Sequence, residues 1–434
     1  MKNLFKGIIV FLLFILLGWG ANVLAFLLPN RPIHENVIKS GNVFIQEGAF
    51  PHIISENYRN TIADNNTDAW MLLMADYDGN KSLLEKSLGG WYSTYENTTN
   101  SGMWGFDNFV SSTKSGMVKT GEEAYSRYWH GWILPLRILL LFFSYESIRY
   151  IGMNVLLALL IVNFCLFLKL NLKYYAIAFF GAITFVLPIS AMISFEYAFI
   201  FYIMLINNII LLTCYKKIKH IGFHMFFMCL GMSCAYFDFL TYPLVALAFC
   251  LMTYIFLEKD SELLKTLFKI IINSIMWAFG YFGMWFSKWS LSTLVLRRNV
   301  FKEAISQLIL RTSTTDGLGS LSQNPITYLD VLKNNLTVYM TKGFLISVLI
   351  ITICFAVFFI KNKVEINIIL LKSSLIFILI GCMPFVWSFV FKNHTFLHRN
   401  FTCNIFSIVV LSYFSYYAYI IENFGILYLP PKRG

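Results

Sequence analysis

Apolar stretches recur along this chain at a length of roughly 17–25 residues, which is what a helix needs to cross about 30 Å of hydrocarbon. Helices suit that setting because each backbone amide is paired within its own segment. The pattern predicts helices near 7–28, 148–170, 174–192, 196–214, 221–236, 241–257, 268–287, 342–360, 367–390 and 402–420. The expected fold is all-α: a polytopic transmembrane bundle of about ten spans with a long first extracytoplasmic loop containing amphipathic helices. Residues 1–28 form the first transmembrane helix, 29–131 the loop, and 132–434 the bundle, with a second extracytoplasmic segment at 288–341.

Within the loop, Asp68 to Asp76 reads as a short amphipathic helix capped by Thr67 or Asp68 and stopped near Gly79. Trp132 to Phe143 is apolar but too short to span, so it is expected at the interface or re-entrant. Leu291 to Leu310 resembles a surface-lying helix carrying bases. The N-terminal run ends in Leu27-Leu28-Pro29-Asn30 rather than at a small-residue cleavage site, so an uncleaved first helix is expected. Gly280, Gly283 and Pro188 are candidate kink positions.

Charge orients the map. With Lys2 and Lys6 in the cytoplasm, so are Lys169/Lys173, Lys216/Lys217/Lys219, Lys259/Lys265/Lys269, Lys361/Lys363 and Lys432/Arg433. Every short loop on that side is then basic, as topology requires, and both termini are cytoplasmic. The cell membrane is the expected location. The net charge of +11 is spread over helix ends instead of forming a nucleic-acid patch. The polar insert has the opposite balance, with 12 of the 23 acids and only 8 of the 34 bases. It is also rich in aromatic residues (Trp70, Tyr77, Trp91, Tyr92, Tyr95, Trp104, Tyr125, Tyr128, Trp129), which marks a segment that folds or sits at headgroup level.

A chain that is 58% hydrophobic and 13% charged, with mean hydropathy +0.64, is not a soluble enzyme. All eight cysteines lie in or beside apolar runs, so a disulfide-stapled ectodomain is excluded and no metal spacing occurs. No P-loop, Rossmann glycine pattern or nucleophile triad is present; Asp76-Tyr77-Asp78 has a D-x-D form too short to carry weight. No cofactor or metal is implied.

Candidate chemistry gathers at the predicted outer face. Glu35, Asp68 and Asp238 are the candidate catalytic carboxylates, with Glu196 of the same standing as Asp238, since a charge so close to hydrocarbon is costly. Trp129, His130, His394, His398, Arg399, Arg297 and Arg298 are candidate substrate-binding groups, and Arg137 is a further base that could face a phosphate. A carboxylate suits general-base work on an acceptor hydroxyl, guanidinium groups match phosphate oxygens, and indoles stack on sugar faces. For each, the plain alternative is a solvated carboxylate, a helix cap or an aromatic anchor.

The segments Pro32-Ile33-His34-Glu35-Asn36-Val37, Asn66-Thr67-Asp68-Ala69, Tyr128-Trp129-His130-Gly131, Phe237-Asp238-Phe239-Leu240-Thr241-Tyr242-Pro243 and Asn393-His394 with His398 resemble membrane proteins of surface-polysaccharide loci in low-GC Gram-positive bacteria. The layout of the chain resembles the GT-C class of membrane glycosyltransferases. That resemblance implies a polyprenyl-phosphate-linked sugar as donor and an envelope glycan as acceptor, with the catalytic acid soon after helix 1, making Glu35 the counterpart. Asp68 lies later than that pattern expects. A repeat-unit polymerase, a flippase for lipid-linked saccharides and a non-catalytic scaffold of an assembly complex are the alternatives.

Overall fold

The apolar run at the N-terminus folds, in the computed structural model, as α1 (Lys2–Ala25), with Leu16, Leu17 and most of its other large side chains left for lipid to cover. The structure describes all residues except 1, 55–60, 97–100, 186–188, 259–261, 318–323, 340, 363–367 and 429–434. Pro188, Lys259, Lys363, Lys432 and Arg433 therefore lie outside the described residues.

The polar insert follows as a folded unit. Its elements are α2 (Asn30–Glu47), α3 (Asn65–Ala75), α4 (Leu83–Gly89), β1 (Trp91–Tyr95), α5 (Trp104–Ser112), β2 (Lys119–Ala124) and α6 (Ile133–Leu140). β1 and β2 pair antiparallel, Trp91 opposite Ala124 and Tyr95 opposite Lys119. This small sheet departs from the all-helical expectation for the loop. α3 also departs from expectation: it begins at Asn65, capped by Asp64 accepting from Thr67 N at 2.8 Å, and ends at Asp76 rather than near Gly79. Met71 to Ala75 are all buried, so α3 is the insert's central helix and not a surface amphipath.

The bundle contains α7 (Tyr145–Lys169), α8 (Lys173–Phe185), α9 (Ile189–Ile193), α10 (Phe195–Ile221), α11 (Phe223–Phe237), α12 (Leu244–Glu258) and α13 (Leu263–Leu296). α14 (Val300–Arg311) and α15 (Tyr328–Tyr339) follow, then α16 (Lys342–Lys361), α17 (Ile368–Gly381), α18 (Met383–Val390), α19 (Lys392–Leu397), α20 (Arg399–Thr402) and α21 (Ser407–Tyr428). Among the described residues, six helical stretches are long and apolar enough to cross a membrane: Phe5–Ala25, Tyr145–Lys169, Phe195–Ile221, Leu263–Leu296, Lys342–Lys361 and Arg399–Glu422. They mark a multi-pass membrane protein. Three shorter apolar helices accompany them, so the structure carries fewer full-length spans than the ten expected.

α13 continues to Leu296, well beyond the expected end at 287, and turns at Arg297, which adopts φ 52°. The expected surface helix is thus two pieces, the end of α13 and all of α14. Gly280 is no kink either, because α13 runs through it. A Cβ there would meet the Met228 carbonyl oxygen at 2.2 Å, and one on Gly231 of α11 would meet that of Trp277 at 2.0 Å. These glycines let the two helix backbones approach closely, as small residues do between membrane helices.

Two apolar cores meet. One fills the bundle; the other joins Phe44, Leu72, Phe109, Trp132, Leu136 and Leu140 of the insert to Tyr145 and Ile148 of α7 and to Phe195 and Phe199 of α10. The insert's core therefore runs past residue 131, and α6 belongs to it.

Polar locks fix the junction. Arg137 on α6, 1% exposed, donates to the carbonyl oxygens of Ala25 (2.9 Å), Leu28 (3.2 Å) and Ala75. It thereby supplies donors to carbonyl oxygens at the C-terminal ends of α1 and α3, that of Ala25 also accepting from Leu28 N at 3.3 Å. Arg149 of α7 pairs with Glu47 at 2.8 Å and donates to Asn65 Oδ1 at 2.6 Å. At the opposite end of the bundle, Glu258 of α12 pairs with Lys219 and Lys269, each at 2.8 Å.

Candidate functional site

Where the insert meets the bundle, a cavity of about 200 Å³ opens among elements far apart in the chain. One face of α3 supplies Asn66, Thr67, Trp70 and Met74, residues that share a side at helical spacing. The segment after β2 adds Tyr125 and Tyr128, the first turn of α10 adds Glu196, and the turn after α11 adds Phe239. Arg311 comes from the last turn of α14; His394, His398 and Phe401 come from α19, α20 and the residue between them.

Each wall is held from behind. Asn66 Oδ1 accepts from Phe106 N at 3.0 Å. Trp70 lies against Tyr92 (ring centroids 4.7 Å apart) and Trp104 (4.8 Å), and a Cβ on Gly105 would collide with its indole. Asn335 of α15 donates to Thr395 O at 2.8 Å and accepts from Thr402 at 2.9 Å, bracing the histidine segment. Asn393 donates to Thr315 O at 2.8 Å from the same segment.

Glu196 is 4% exposed, and its Oε2 has no hydrogen-bond partner among the described residues. A buried oxygen of that kind is costly unless something binds it. Asp64, Asp68 and Asp238 lie within electrostatic reach of it. Burial pushes the Asp64 carboxyl up to about 7.

The three carboxylates singled out from sequence occupy other places. Glu35 is exposed on α2 and pairs with Arg31 at 3.1 Å, away from the cavity. Glu35→Gln should leave stability within about 0.5 kcal/mol, as surface ion pairs contribute little, and leave function within twofold. A large loss of function at normal protein level would return Glu35 to the site.

Asp68 is fully buried and committed. It accepts from Phe195 N and Glu196 N at 2.9 Å each, from Ser194 Oγ at 3.2 Å and from the Tyr145 hydroxyl. It thus binds the free N–H groups at the start of α10 and fixes where Glu196 points. Asp238 accepts from Thr241 N at 2.9 Å and from the Thr241 hydroxyl, and burial pushes its carboxyl up to about 7. That turn delivers Phe239 to the cavity and the Leu240 carbonyl to His394. Asp68 and Asp238 are positioning groups in this geometry.

Of the binding candidates, His394 and His398 line the cavity. His394 Nε2 bonds Leu240 O at 2.8 Å, and His398 Nε2 accepts from the Arg311 guanidinium. Trp129 is buried elsewhere, donating to Met284 O at 2.6 Å, and His130 is packed behind the wall against Tyr125, Trp132 and Phe239. Arg399 donates to Asn334 Oδ1 at 2.8 Å. Arg298 bonds Ser126 and Glu303, and Arg297 is the turn residue after α13. None of these five lines the cavity. Arg311 is the cavity's guanidinium, and no motif in the sequence marks it.

Burial holds His394 well below the ordinary imidazole value, and burial with the nearby Arg311 charge holds His398 down to about 3. Both are therefore neutral when folded and protonate near pH 6.5 when unfolded. Their contribution to stability is full above pH 6.5 and is lost as pH falls, by up to about 1.4 kcal/mol per pH unit for each. The Asp64 and Asp238 carboxyls, pushed up to about 7, take up protons on folding in the same window and oppose this loss. The expected result is therefore a difference: from pH 6.5 to 5 the melting temperature of the wild type should fall relative to that of the double variant His394→Gln with His398→Gln. An unchanged slope in the double variant would contradict the assignment.

Chemically, the cavity offers one carboxylate oxygen without a partner, one guanidinium, two neutral imidazoles and several aromatic faces. No group of three or more His, Cys, Asp or Glu side chains placed to hold a metal ion occurs among the described residues. Comparison with protein families, with characterised proteins and with solved structures returns no match to this chain.

Proposed function

We propose that the chain is an integral membrane glycosyltransferase of GT-C type. It transfers a sugar from a polyprenyl-phosphate carrier to a cell-envelope polysaccharide or glycolipid at the outer membrane face. The observation that carries this is the buried Glu196 oxygen without a partner, in a cavity that also contains Arg311 and several aromatic walls. Glu196 accepts the proton of an acceptor hydroxyl. The hydroxyl oxygen bonds to the anomeric carbon, the bond from that carbon to the phosphate oxygen breaks, and the electron pair leaves on the phosphate. Arg311 offsets the charge gathering there. Trp70, Tyr125 and Tyr128 offer faces for sugar rings.

The orientation follows from charge. Lys169, Lys173, Lys216, Lys217, Lys219 and Lys269 lie at the end of the bundle away from the insert, which suits a cytoplasmic side. The insert and the cavity then face outward, with about ten crossings and both termini inside. A comparison of cells with and without the gene tests this function. One envelope sugar should disappear while polymer length is retained; shortened polymer with unchanged composition would indicate a polymerase instead.

A further inference from the structure

α13 has two unlike faces. Trp277, Tyr281, Met284 and Lys288 are buried on the side turned toward the bundle. On the opposite side Ile275, Phe279, Phe282 and Phe286 recur at helical spacing, and all four are exposed. With Phe11 of α1 and Gly283 they line an open apolar groove of about 610 Å³. The Phe11 ring lies 5.8 Å from that of Phe279, and a Cβ on Gly283 would meet it at 2.8 Å. Gly283 thus lets α1 approach α13 and gives the groove its floor. From Ile275 to Phe286 the helix rises about 16 Å, roughly half the thickness of a 30 Å hydrocarbon core.

The groove ends against charge. Phe301, near the start of α14, closes it by packing on Phe286 with ring centroids 5.5 Å apart. Lys302 is the next residue of α14, and the exposed face of α13 continues through Leu294 to Arg297. Lys302 and Arg297 are both exposed, and neither forms an ion pair among the described residues. Glu303 is shared between Arg127 (2.9 Å) and Arg298 (3.5 Å). Glu85, within electrostatic reach of Arg297, already accepts from the backbone and hydroxyl of Ser82. Uncompensated positive charge therefore stands at the mouth of an apolar groove one leaflet deep.

An acyl chain joined to an anionic headgroup matches both features at once. We propose that the groove between α1 and α13 holds one acyl chain of an anionic phospholipid whose phosphate is bound by Arg297 and Lys302. A transmembrane helix or a neutral lipid could fill the groove but would leave both bases unmatched. The bound lipid ties together α1, α13 and α14. It is not a substrate, because no residue lines both this groove and the cavity of Glu196.

The test is native mass spectrometry of the full-length protein in detergent with equal amounts of palmitoyl-oleoyl phosphatidylglycerol and palmitoyl-oleoyl phosphatidylcholine. Phosphatidylglycerol should be retained over phosphatidylcholine by about tenfold or more, as two bases beside an anionic headgroup provide. The double variant Arg297→Gln with Lys302→Gln should bring the two lipids to nearly equal retention. Ala278→Leu, which narrows the groove, should weaken both lipids and keep the preference. Dihexanoyl phosphatidylglycerol, with the same headgroup and short chains, should compete poorly. Arg311→Gln should leave retention unchanged, since that guanidinium belongs to the other cavity. Equal retention of the two lipids by the wild type overturns the proposal without recourse to any variant. So does a preference that survives in the double variant, full retention in Ala278→Leu, or a doubled protein mass in place of bound lipid.

Discussion

Glu196→Gln is expected to reduce incorporation of the transferred sugar by about 100- to 10,000-fold, the range over which a positioned general base contributes. Protein level and melting temperature should stay near wild type, because the amide keeps the size of the side chain and the lost oxygen has no partner in the resting structure. Glu196→Asp should lie between the two, keeping the charge but withdrawing it from the acceptor. Asp68→Asn provides the contrast. It loses activity together with stability, by about 1–3 kcal/mol, because the same carboxylate binds the start of α10 and the Tyr145 hydroxyl. Sugar analysis of the envelope beside an immunoblot separates the two patterns. Full activity in Glu196→Gln would remove this group from the reaction.

Arg137→Met carries the largest expected effect on stability. The methionine fills much of the same space but leaves the carbonyl oxygens of Leu28 and Ala75 without this donor and that of Ala25 with only Leu28 N, at 3.3 Å. Each buried acceptor left unpaired costs about 1–3 kcal/mol, so a total of about 3–5 kcal/mol is expected. At this size of folding unit, that lowers the melting temperature by about 10 °C. Arg137→Lys should recover less than half, since one ammonium group cannot reach three acceptors as a planar fork does. Thermal unfolding in detergent is the measurement. A shift within about 2 °C would mean that the junction between α1, α3 and α6 is held by packing alone.

Much of the architecture was legible because burial in lipid writes itself as length and hydropathy. All ten apolar runs overlap helices of the structure, and the aromatic density of residues 70–129 marked a folded insert. The β1–β2 pair was not legible, because its strands are short and the whole of α5 lies between them. Nor was the burial of α3, whose partners come from α5, α6 and the start of α10.

At the site, four of the five segments quoted from the sequence converge: those containing Asn66, Tyr128, Phe239 and His394 share one cavity, and the segment of Glu35 does not line it. Their roles were not readable. Asp68 and Glu196 are both acids near a membrane boundary in the sequence. Only the fold brings Asp68 to the backbone of residues 195 and 196 and leaves a Glu196 oxygen over. Arg311 ends an ordinary amphipathic helix, and only the fold brings it to the cavity wall beside the neutral imidazole of His398.

The proposed role of this cavity is to consume a lipid-phosphate-linked sugar at Glu196. Mass spectrometry of lipid extracts from cells carrying Glu196→Gln tests that role. Polyprenyl-phosphate sugar should accumulate above its wild-type level while the corresponding sugar is lost from the envelope. An unchanged lipid pool together with an unchanged envelope, at normal protein level, would contradict it.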